Sequence, residues 1–212
     1  MIIVVGGIKG GSGKTTIATN LAVMRSEKKK VLLVDADEQR SAWDWSQQRD
    51  ASDSAHLFMG IFSTVCMSGK AIYSNLLRLK EDYDDIIVDT GGRDTTSQRS
   101  ALCIADKLLL PFKPSSIDIW TLGNVKQILL ECVNEKLQSL AFISQADASG
   151  KDNKIALSII KEFEFADVLD CTIGNRRAFR NAAADGLGVC ELFPENKKAS
   201  EEMGALYNLI YT

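Results

Sequence analysis

The chain is poor in proline, and it has neither a linker nor a long apolar run. It contains three prolines in 212 residues and no Ser/Gly-rich tract, so we expect one domain over residues 1–212. No apolar stretch reaches the roughly 18–20 residues that a membrane span needs. The apolar start MIIVV lacks the basic leader and the cleavage site of a signal peptide. The sequence therefore predicts a cytoplasmic protein that does not bind membranes.

Cysteine and histidine are also rare, and the net charge is small. The five cysteines are widely spread without a CxxC pair, which argues against disulfides and clustered metal ligands. The single histidine, His56, has no evident partner for catalysis or metal binding. A net charge of −3 argues against a protein that coats nucleic acid by bulk charge, although it leaves room for a local basic patch. A hydrophobic fraction of 45% with 25% charged residues excludes a disordered chain.

Short apolar, β-branched runs recur along the chain and predict buried strands. They cover residues 2–5, 31–34, 85–88, 107–110, 140–143 and 168–173. Continuous apolarity without alternation is typical of strands covered on both faces, and segments with helical spacing lie between the runs. We therefore predict a doubly wound α/β fold, with a mostly parallel sheet and helices on both faces. Residues 56–62, HLFMGIF, are a candidate edge strand, and residues 199–211 are predicted to form a final helix.

A glycine-rich segment, KGGSGKTT at residues 9–16, follows the first predicted strand and precedes a helix. Such a turn lets backbone N–H groups surround a phosphate at the positive end of the helix. In this pattern Lys14 reaches the β- and γ-phosphates and Thr15 gives its hydroxyl to Mg²⁺. The strict pattern G-x-x-x-x-G-K-[ST] would have glycine where this chain has Ile8. The predicted nucleotide-binding residues of the loop are Gly10, Gly11, Ser12, Gly13, Lys14, Thr15 and Thr16.

Acidic residues close two further strands at the edge of the sheet where the phosphate loop is expected. The second strand ends in VDADEQ, and Asp35 and Asp37 at alternate positions can face the same side. A third apolar strand ends in IIVDTGG, which places Asp89 where a Walker B carboxylate holds Mg²⁺ through water. The predicted metal-binding residues are therefore Thr15, Asp37 and Asp89.

The motifs KGGSGKTT, VDAD and IIVDTGG, in this order, resemble the ParA/MinD family of deviant Walker A P-loop ATPases. The resemblance spans nearly the whole chain and is greatest to small ParA-type plasmid partition proteins, because the chain starts at its first strand without a helix-turn-helix extension. It implies ATP and Mg²⁺ as cofactors and the catalytic residues Lys9, Lys14 and Asp37. In the family the first lysine reaches the nucleotide of the other subunit in a sandwich dimer. Asp37 corresponds to the aspartate that orients water, and Asp35 to a support of the loop.

Two further segments take their interpretation from the same resemblance. Where the family commonly has an asparagine that reads the adenine edge, the chain has Gln145. The stretch NRRAFRNAAADGLGV at residues 175–189 looks like a region that supports non-specific DNA binding in small ParA proteins. Arg176 and Arg180, four residues apart, are expected to share a helix face with Arg177 beside them. Such a patch would grip phosphates without reading sequence.

Together these features predict a weak MgATPase whose ATP-bound homodimer binds DNA non-specifically and is associated with the nucleoid. A ParB-like or other adaptor would stimulate hydrolysis and release it, which would segregate a plasmid or another cargo. Three alternatives need separate tests. They are a MinD-like membrane-cycling ATPase, a small-molecule P-loop kinase or ligase, and an iron–sulfur reductase. The reductase would need cysteines beside the segment that follows the third apolar strand, and residues 88–94 contain none.

Overall fold

The computed structural model describes residues 1–52, 60, 62–116, 119–147 and 150–211, and the side chains of all of these except residues 116, 119 and 120. The strands are β1 (Ile2–Val5), β2 (Val31–Asp35), β3 (Ser63–Cys66), β4 (Asp85–Asp89), β5 (Lys107–Phe112), β6 (Gln138–Ala146) and β7 (Asp167–Gly174). The α-helices of these described ranges are α1 (Lys14–Ser26), α2 (Ser41–Asp50), α3 (Ala71–Leu79), α4 (Thr96–Leu102), α5 (Ile119–Glu131), α6 (Lys151–Glu162), α7 (Arg177–Ala184) and α8 (Lys197–Tyr211).

The strands form one sheet in the order β3-β2-β4-β1-β5-β6-β7, and every neighbouring pair is parallel. The register sets Asp89 at the end of β4 opposite Val5 on one side and Asp35 on the other. β1 lies between β4 and β5, so the chain leaves it at the point where the strand order changes direction. In doubly wound folds that point forms the ligand crevice at the carboxyl ends of the strands.

Each face of the sheet is covered by a helical layer. Ile2 and Val4 of β1 belong to the apolar cluster beneath α3, α4, α5 and α6. Ile3 and Val5 belong to the cluster beneath α1, α2, α7 and α8. Alternate residues of a strand point to opposite faces, so a strand that is buried on both faces must be apolar throughout. The predicted doubly wound α/β fold is confirmed.

The six strands and the final helix predicted from the sequence are also confirmed, and the helix begins two residues earlier than expected, at Lys197. The edge strand is Ser63–Cys66. Most of the segment proposed for that strand, and His56 with it, lies outside the described residues. Within the described part of the chain, no helix combines the length and the apolarity needed to cross a membrane.

Candidate nucleotide site

The phosphate loop joins β1 to α1 at the centre of the sheet edge. Gly11 and Gly13 have φ angles of 75° and 89°, which side chains other than glycine rarely adopt. A Cβ on Gly13 would also lie 2.9 Å from the Ser144 hydroxyl oxygen. Gly13 is the residue before α1 and has no side chain that could cap the helix. The first N–H groups of α1 therefore face the loop without a competing side chain, as an anion site requires.

Lys14 is buried beneath this loop. Its Nζ donates a hydrogen bond to the Lys9 carbonyl oxygen at 2.9 Å. Burial lowers the pKa of Lys14, while the negative charges of Asp89 and Asp37 act against that shift. A cation at this depth, with two carboxylates beside it, is suited to hold phosphate oxygens in a low-dielectric site.

Asp89 is fully buried, and neither of its carboxylate oxygens has a hydrogen-bond partner among the described residues. Loss of solvent raises the pKa of Asp89 to about 7. The Thr15 hydroxyl lies near enough to favour the charged form, although it does not meet the geometry of a hydrogen bond. Buried carboxylate oxygens normally have partners, so this pair fits a bound cation.

The residues around Asp89 fit Mg²⁺, since they offer a buried carboxylate and a neighbouring hydroxyl. No group of three or more His, Cys, Asp or Glu side chains that could hold a metal occurs in the described ranges. Mg²⁺ binds through one or two carboxylates and takes its remaining ligands from water and phosphate oxygens. The site therefore fits a metal that arrives with a nucleotide.

The buried carboxyl of Asp89 predicts a pH-dependent stability in metal-free protein. Its pKa is about 7 when folded against an ordinary value of 3.8. Between these values the folded state holds a proton that the unfolded state has lost, so the free energy of unfolding should fall as pH rises from about 4 to about 7. We expect Asp89→Asn to flatten this dependence in thermal unfolding with EDTA. Asp152→Asn, at an exposed position of α6, should keep the wild-type slope, and equal slopes for wild type and Asp89→Asn would contradict the assignment.

Asp35 supports the turn that follows β2. Its Oδ1 accepts the Asp37 N–H at 3.0 Å, and its Oδ2 accepts the Trp43 N–H at 2.8 Å. Burial raises the pKa of Asp35, and these backbone N–H groups oppose the rise. Both oxygens are thus occupied by the turn and by the first residues of α2, which agrees with the supporting role expected for Asp35.

Asp37 borders a cleft of about 480 Å³ between three loops. The phosphate loop contributes Gly10 to the lining, and the segment after β4 contributes Gly91, Gly92 and Arg93. A Cβ placed on Gly91 would lie 3.0 Å from Asp37 Oδ1. The Asp37 carboxylate therefore lies against the segment that follows Asp89, and its action on water stays a prediction.

The family of the chain is shown by comparison with known proteins. The model of the CobQ/CobB/MinD/ParA nucleotide binding domain matches residues 3–189. The chain belongs to this ParA/MinD family. Its phosphate loop and the acidic ends of β2 and β4 are therefore parts of a nucleotide-binding domain.

Several relatives resemble the chain along nearly its whole length. A maintenance of carboxysome distribution protein A from Halothiobacillus neapolitanus is 25% identical, over 97% of this chain and 94% of that protein. An ATP complex of a McdA variant from Cyanothece has a TM-score of 0.73 at 20% identity, covering 97% of this chain and 95% of that one. A putative plasmid partition protein from Borrelia burgdorferi bound to AMPPNP has the same score and identity, covering 99% and 97%. At such identities the two structures establish the fold alone.

Gln145 in this ParA/MinD-family chain lies one residue before the end of β6, beside the phosphate loop. Its backbone has a φ of 53°, and its Nε2 donates to the Gly11 carbonyl oxygen at 2.7 Å. Together with Ser144, Asn175 and Arg180 it borders a second cleft, of about 320 Å³. The predicted base-reading residue thus lies next to the loop, and its contact with the base stays a prediction.

The three arginines predicted to form one DNA patch do not lie together on a helix face. Arg176 precedes α7 in extended conformation, and its Nε donates to Glu202 Oε2 on α8 at 2.9 Å. Arg177 and Arg180 are exposed on α7, and Arg180 also borders the cleft beside Gln145. Arg176 thus lies before the helix on which a shared face with Arg180 was expected, although both side chains border the cleft beside Gln145.

Gln98 at the start of α4 was not singled out in the sequence. Its Oε1 accepts the Gly7 N–H at 3.2 Å and lies 3.0 Å from the Thr90 hydroxyl. No motif marks this residue, and an isolated glutamine in a helix carries no signal of such a contact. It touches both the phosphate loop and the residue after Asp89.

Proposed function

We propose that the chain acts, as one domain over residues 1–212, as a weak Mg²⁺-dependent ATPase that positions a cargo. Its ATP-bound sandwich homodimer binds DNA non-specifically, and an adaptor partner stimulates hydrolysis and releases it. The observation that carries this proposal is the buried carboxylate of Asp89, which lies beside Lys14 and has no hydrogen-bond partner in the part of the chain that the structure describes. It supports a site that is complete only with a metal–nucleotide complex.

In this proposal the site residues share the binding of the metal and the chemistry. Bound Mg²⁺ would offset the negative charge of the phosphate oxygens, with Thr15, Asp37 and Asp89 holding it. Lys14 binds the β- and γ-phosphates, and Asp37 at the cleft orients the attacking water. Phosphoryl transfer is catalysed mainly by positioning and electrostatic stabilisation, so a few fixed charges are sufficient to catalyse hydrolysis.

Lys9 is proposed to act on the nucleotide of the partner subunit. It lies exposed on the first arm of the phosphate loop, while its own carbonyl oxygen fixes Lys14. A second cation at the γ-phosphate would stabilise charge in the transition state. Because it would come from the other protomer, hydrolysis would depend on ATP-bound dimers.

DNA binding is proposed to rest on Arg177 and Arg180 of α7. Two exposed arginines on an acidic body give a weak, salt-sensitive grip on phosphates. Dimerisation doubles the patch and raises its avidity. Reversible association of a cytoplasmic protein with the nucleoid follows from this dependence on ATP.

The cargo is either a plasmid or a protein assembly. The names of the relatives refer both to carboxysome distribution and to plasmid partition. Both kinds of cargo fit an ATPase that associates with DNA and needs an adaptor. A ParB-like protein would serve the first cargo, and an assembly-specific adaptor the second.

The test is DNA binding with ATP and with ADP at several salt concentrations. We expect ATP-loaded wild-type protein to bind at low salt and ADP-loaded protein to bind weakly. In a dimer Arg177→Ala removes two charges, so the slope of log K against log [salt] should become shallower by about 2. Lys9→Ala should lose ATP-dependent dimerisation and, with it, DNA binding. Arg177 is a cleaner target than Arg180 because Arg180 also borders the cleft beside Gln145.

Arg78→Ala is the matched control for DNA binding. Arg78 is exposed on α3, in the helical layer opposite α7, so the same charge is removed from the other face. ATP-loaded protein without DNA affinity at low salt would overturn the partition mechanism. Strong ATP-dependent pelleting with liposomes would favour a membrane-cycling ATPase instead. Turnover that requires a small-molecule substrate would favour a kinase or ligase.

A further inference from the structure

We propose that Gln98 is a positioning residue that couples the second switch, residues 90–95, to the lysine arm of the phosphate loop, residues 7–9. The proposal rests on the proposed function, because it assigns Gln98 a role in the same ATPase site. The observation behind it is a single buried amide oxygen that contacts both segments at once.

The side-chain oxygen of Gln98 contacts both of these segments. It accepts the Gly7 N–H at 3.2 Å and lies 3.0 Å from the Thr90 hydroxyl, whose single proton points either to this oxygen or to the Val5 carbonyl oxygen. The Gly7 contact also settles the orientation of the amide, because an N–H donor must face the oxygen. Gln98 is only 3% exposed, so bulk solvent does not compete for this oxygen.

The lysine arm begins at the residue that Gln98 holds. Gly7 has a φ of 140°, a backbone conformation suited to glycine, and Lys9 follows two residues later. A hydrogen bond to the Gly7 N–H therefore fixes the direction in which the arm leaves β1. The arm in turn supplies the carbonyl oxygen that holds Lys14 Nζ.

The second contact ties Gln98 to the residue after the proposed metal ligand. Thr90 follows Asp89, and its hydroxyl also lies 3.1 Å from the Val5 carbonyl oxygen at the end of β1. The carboxyl ends of β1 and β4 thus meet the same glutamine. Any change at Asp89 that moves Thr90 would therefore also displace the side-chain oxygen of Gln98.

The backbone of Gln98 belongs to the switch as well. α4 begins directly after the second switch, and the Thr95 hydroxyl accepts the Gln98 N–H at 3.1 Å. Arg99 binds Asp94 of the switch through Nε to Oδ1 at 2.7 Å. The switch and the first turn of α4 are therefore attached at two points, and a displacement of the switch would carry the Gln98 side chain with it.

In this proposal the lysine arm and residues 10–15 of the phosphate loop therefore have different roles. Phosphate binding depends mainly on the amides and side chains of residues 10–15, whereas the Gln98 oxygen contacts Gly7 and Thr90. The placement of Lys9 for the partner's nucleotide depends on the arm that Gln98 does contact. Loss of the Gln98 oxygen should affect turnover more than ATP affinity.

The test is Gln98→Met, which keeps the side-chain length and removes the amide oxygen. Loss of one such hydrogen bond in the transition state should lower kcat about tenfold, with KM for ATP changing less than about threefold. In a Lys9→Ala background, where only residual hydrolysis is expected, the same change should lower that residual rate less than about twofold, because residues that act as a unit are non-additive. Gln98→Asn, which draws the oxygen back by one methylene, should repeat this pattern if Gln98→Met folds poorly.

Asn134→Ala is the matched structural control. Asn134 Nδ2 donates to Leu102 O at 2.9 Å and to Ala105 O at 2.7 Å, so the variant loosens the opposite end of α4. It should lower the melting temperature and leave kcat unchanged. An equal fall in kcat for Asn134→Ala, or a full tenfold effect of Gln98→Met without Lys9, would overturn the coupling role. Wild-type protein without ATP hydrolysis would overturn the proposed function and this inference with it.

Discussion

Replacing Lys14 with alanine is expected to lower the rate of ATP hydrolysis by about 10²–10³-fold, the range for loss of one fixed transition-state contact. Lys14 is the buried cation of the site, and the negative charges of Asp89 and Asp37 favour its protonated form. Its removal would leave the phosphate oxygens without their counter-charge and Asp89 without a nearby cation. The measurement is phosphate release at saturating Mg²⁺ and ATP, together with ATP affinity.

Two further variants, Lys28→Ala and Lys14→Met, serve as controls for Lys14→Ala. Lys28, exposed just after α1, can be changed to alanine with the same loss of charge and should hydrolyse ATP at the wild-type rate. Lys14→Met keeps most of the apolar stem and separates the loss of charge from the loss of packing. Wild-type turnover in Lys14→Met would show that this cation is not part of the reaction.

Gly92→Ala is expected to lower hydrolysis by at least about 10²-fold, since a displacement of about 1 Å at a reacting centre can cost that much. A Cβ on Gly92 would lie 2.6 Å from Gly10 Cα and 2.7 Å from Gly10 N. Both contacts are to backbone, so either the phosphate loop or the second switch must move. The measurement is again phosphate release, with ATP-dependent dimerisation followed in parallel.

Gly123→Ala provides the contrast for the glycine variant. Gly123 lies in α5 with nothing within 4 Å of an added Cβ, so alanine should stabilise the helix by roughly 0.5–1 kcal/mol. Its activity should match wild type. If Gly92→Ala were equally active, close approach of the second switch to the phosphate loop would not be needed in the ATP-bound state.

Much of the fold could be predicted because its signals are local. β1, β2, β4 and β5 are buried on both faces, so each must be an apolar run that can be read without knowing its neighbours. β3 offers no such signal, since its four residues STVC are exposed or half-buried at the edge of the sheet. An edge strand is set by the strand it joins, which the sequence pattern does not contain.

The DNA patch illustrates the opposite case. The spacing of Arg176 and Arg180 would suit one helix face, but Arg176 stands before the helix and pairs with Glu202, 26 residues further along. That pairing exists because α8 packs beside the end of β7, where Glu202 also accepts the Gly174 N–H at 3.0 Å. The spacing of residues within one segment does not indicate such a contact with a distant segment.

The sequence by itself determined the kind of chemistry and its order along the chain, because a phosphate loop and the acids at strand ends are encoded in short, contiguous segments. It also determined the parallel sheet that carries them. Only the tertiary structure decided how these segments act on one another. It removes Asp89 from solvent, sets Gly92 against Gly10, and brings Gln98 to Gly7 across 91 residues of chain. These contacts join segments far apart in the chain, and they exist only once the sheet and its two helical layers have packed.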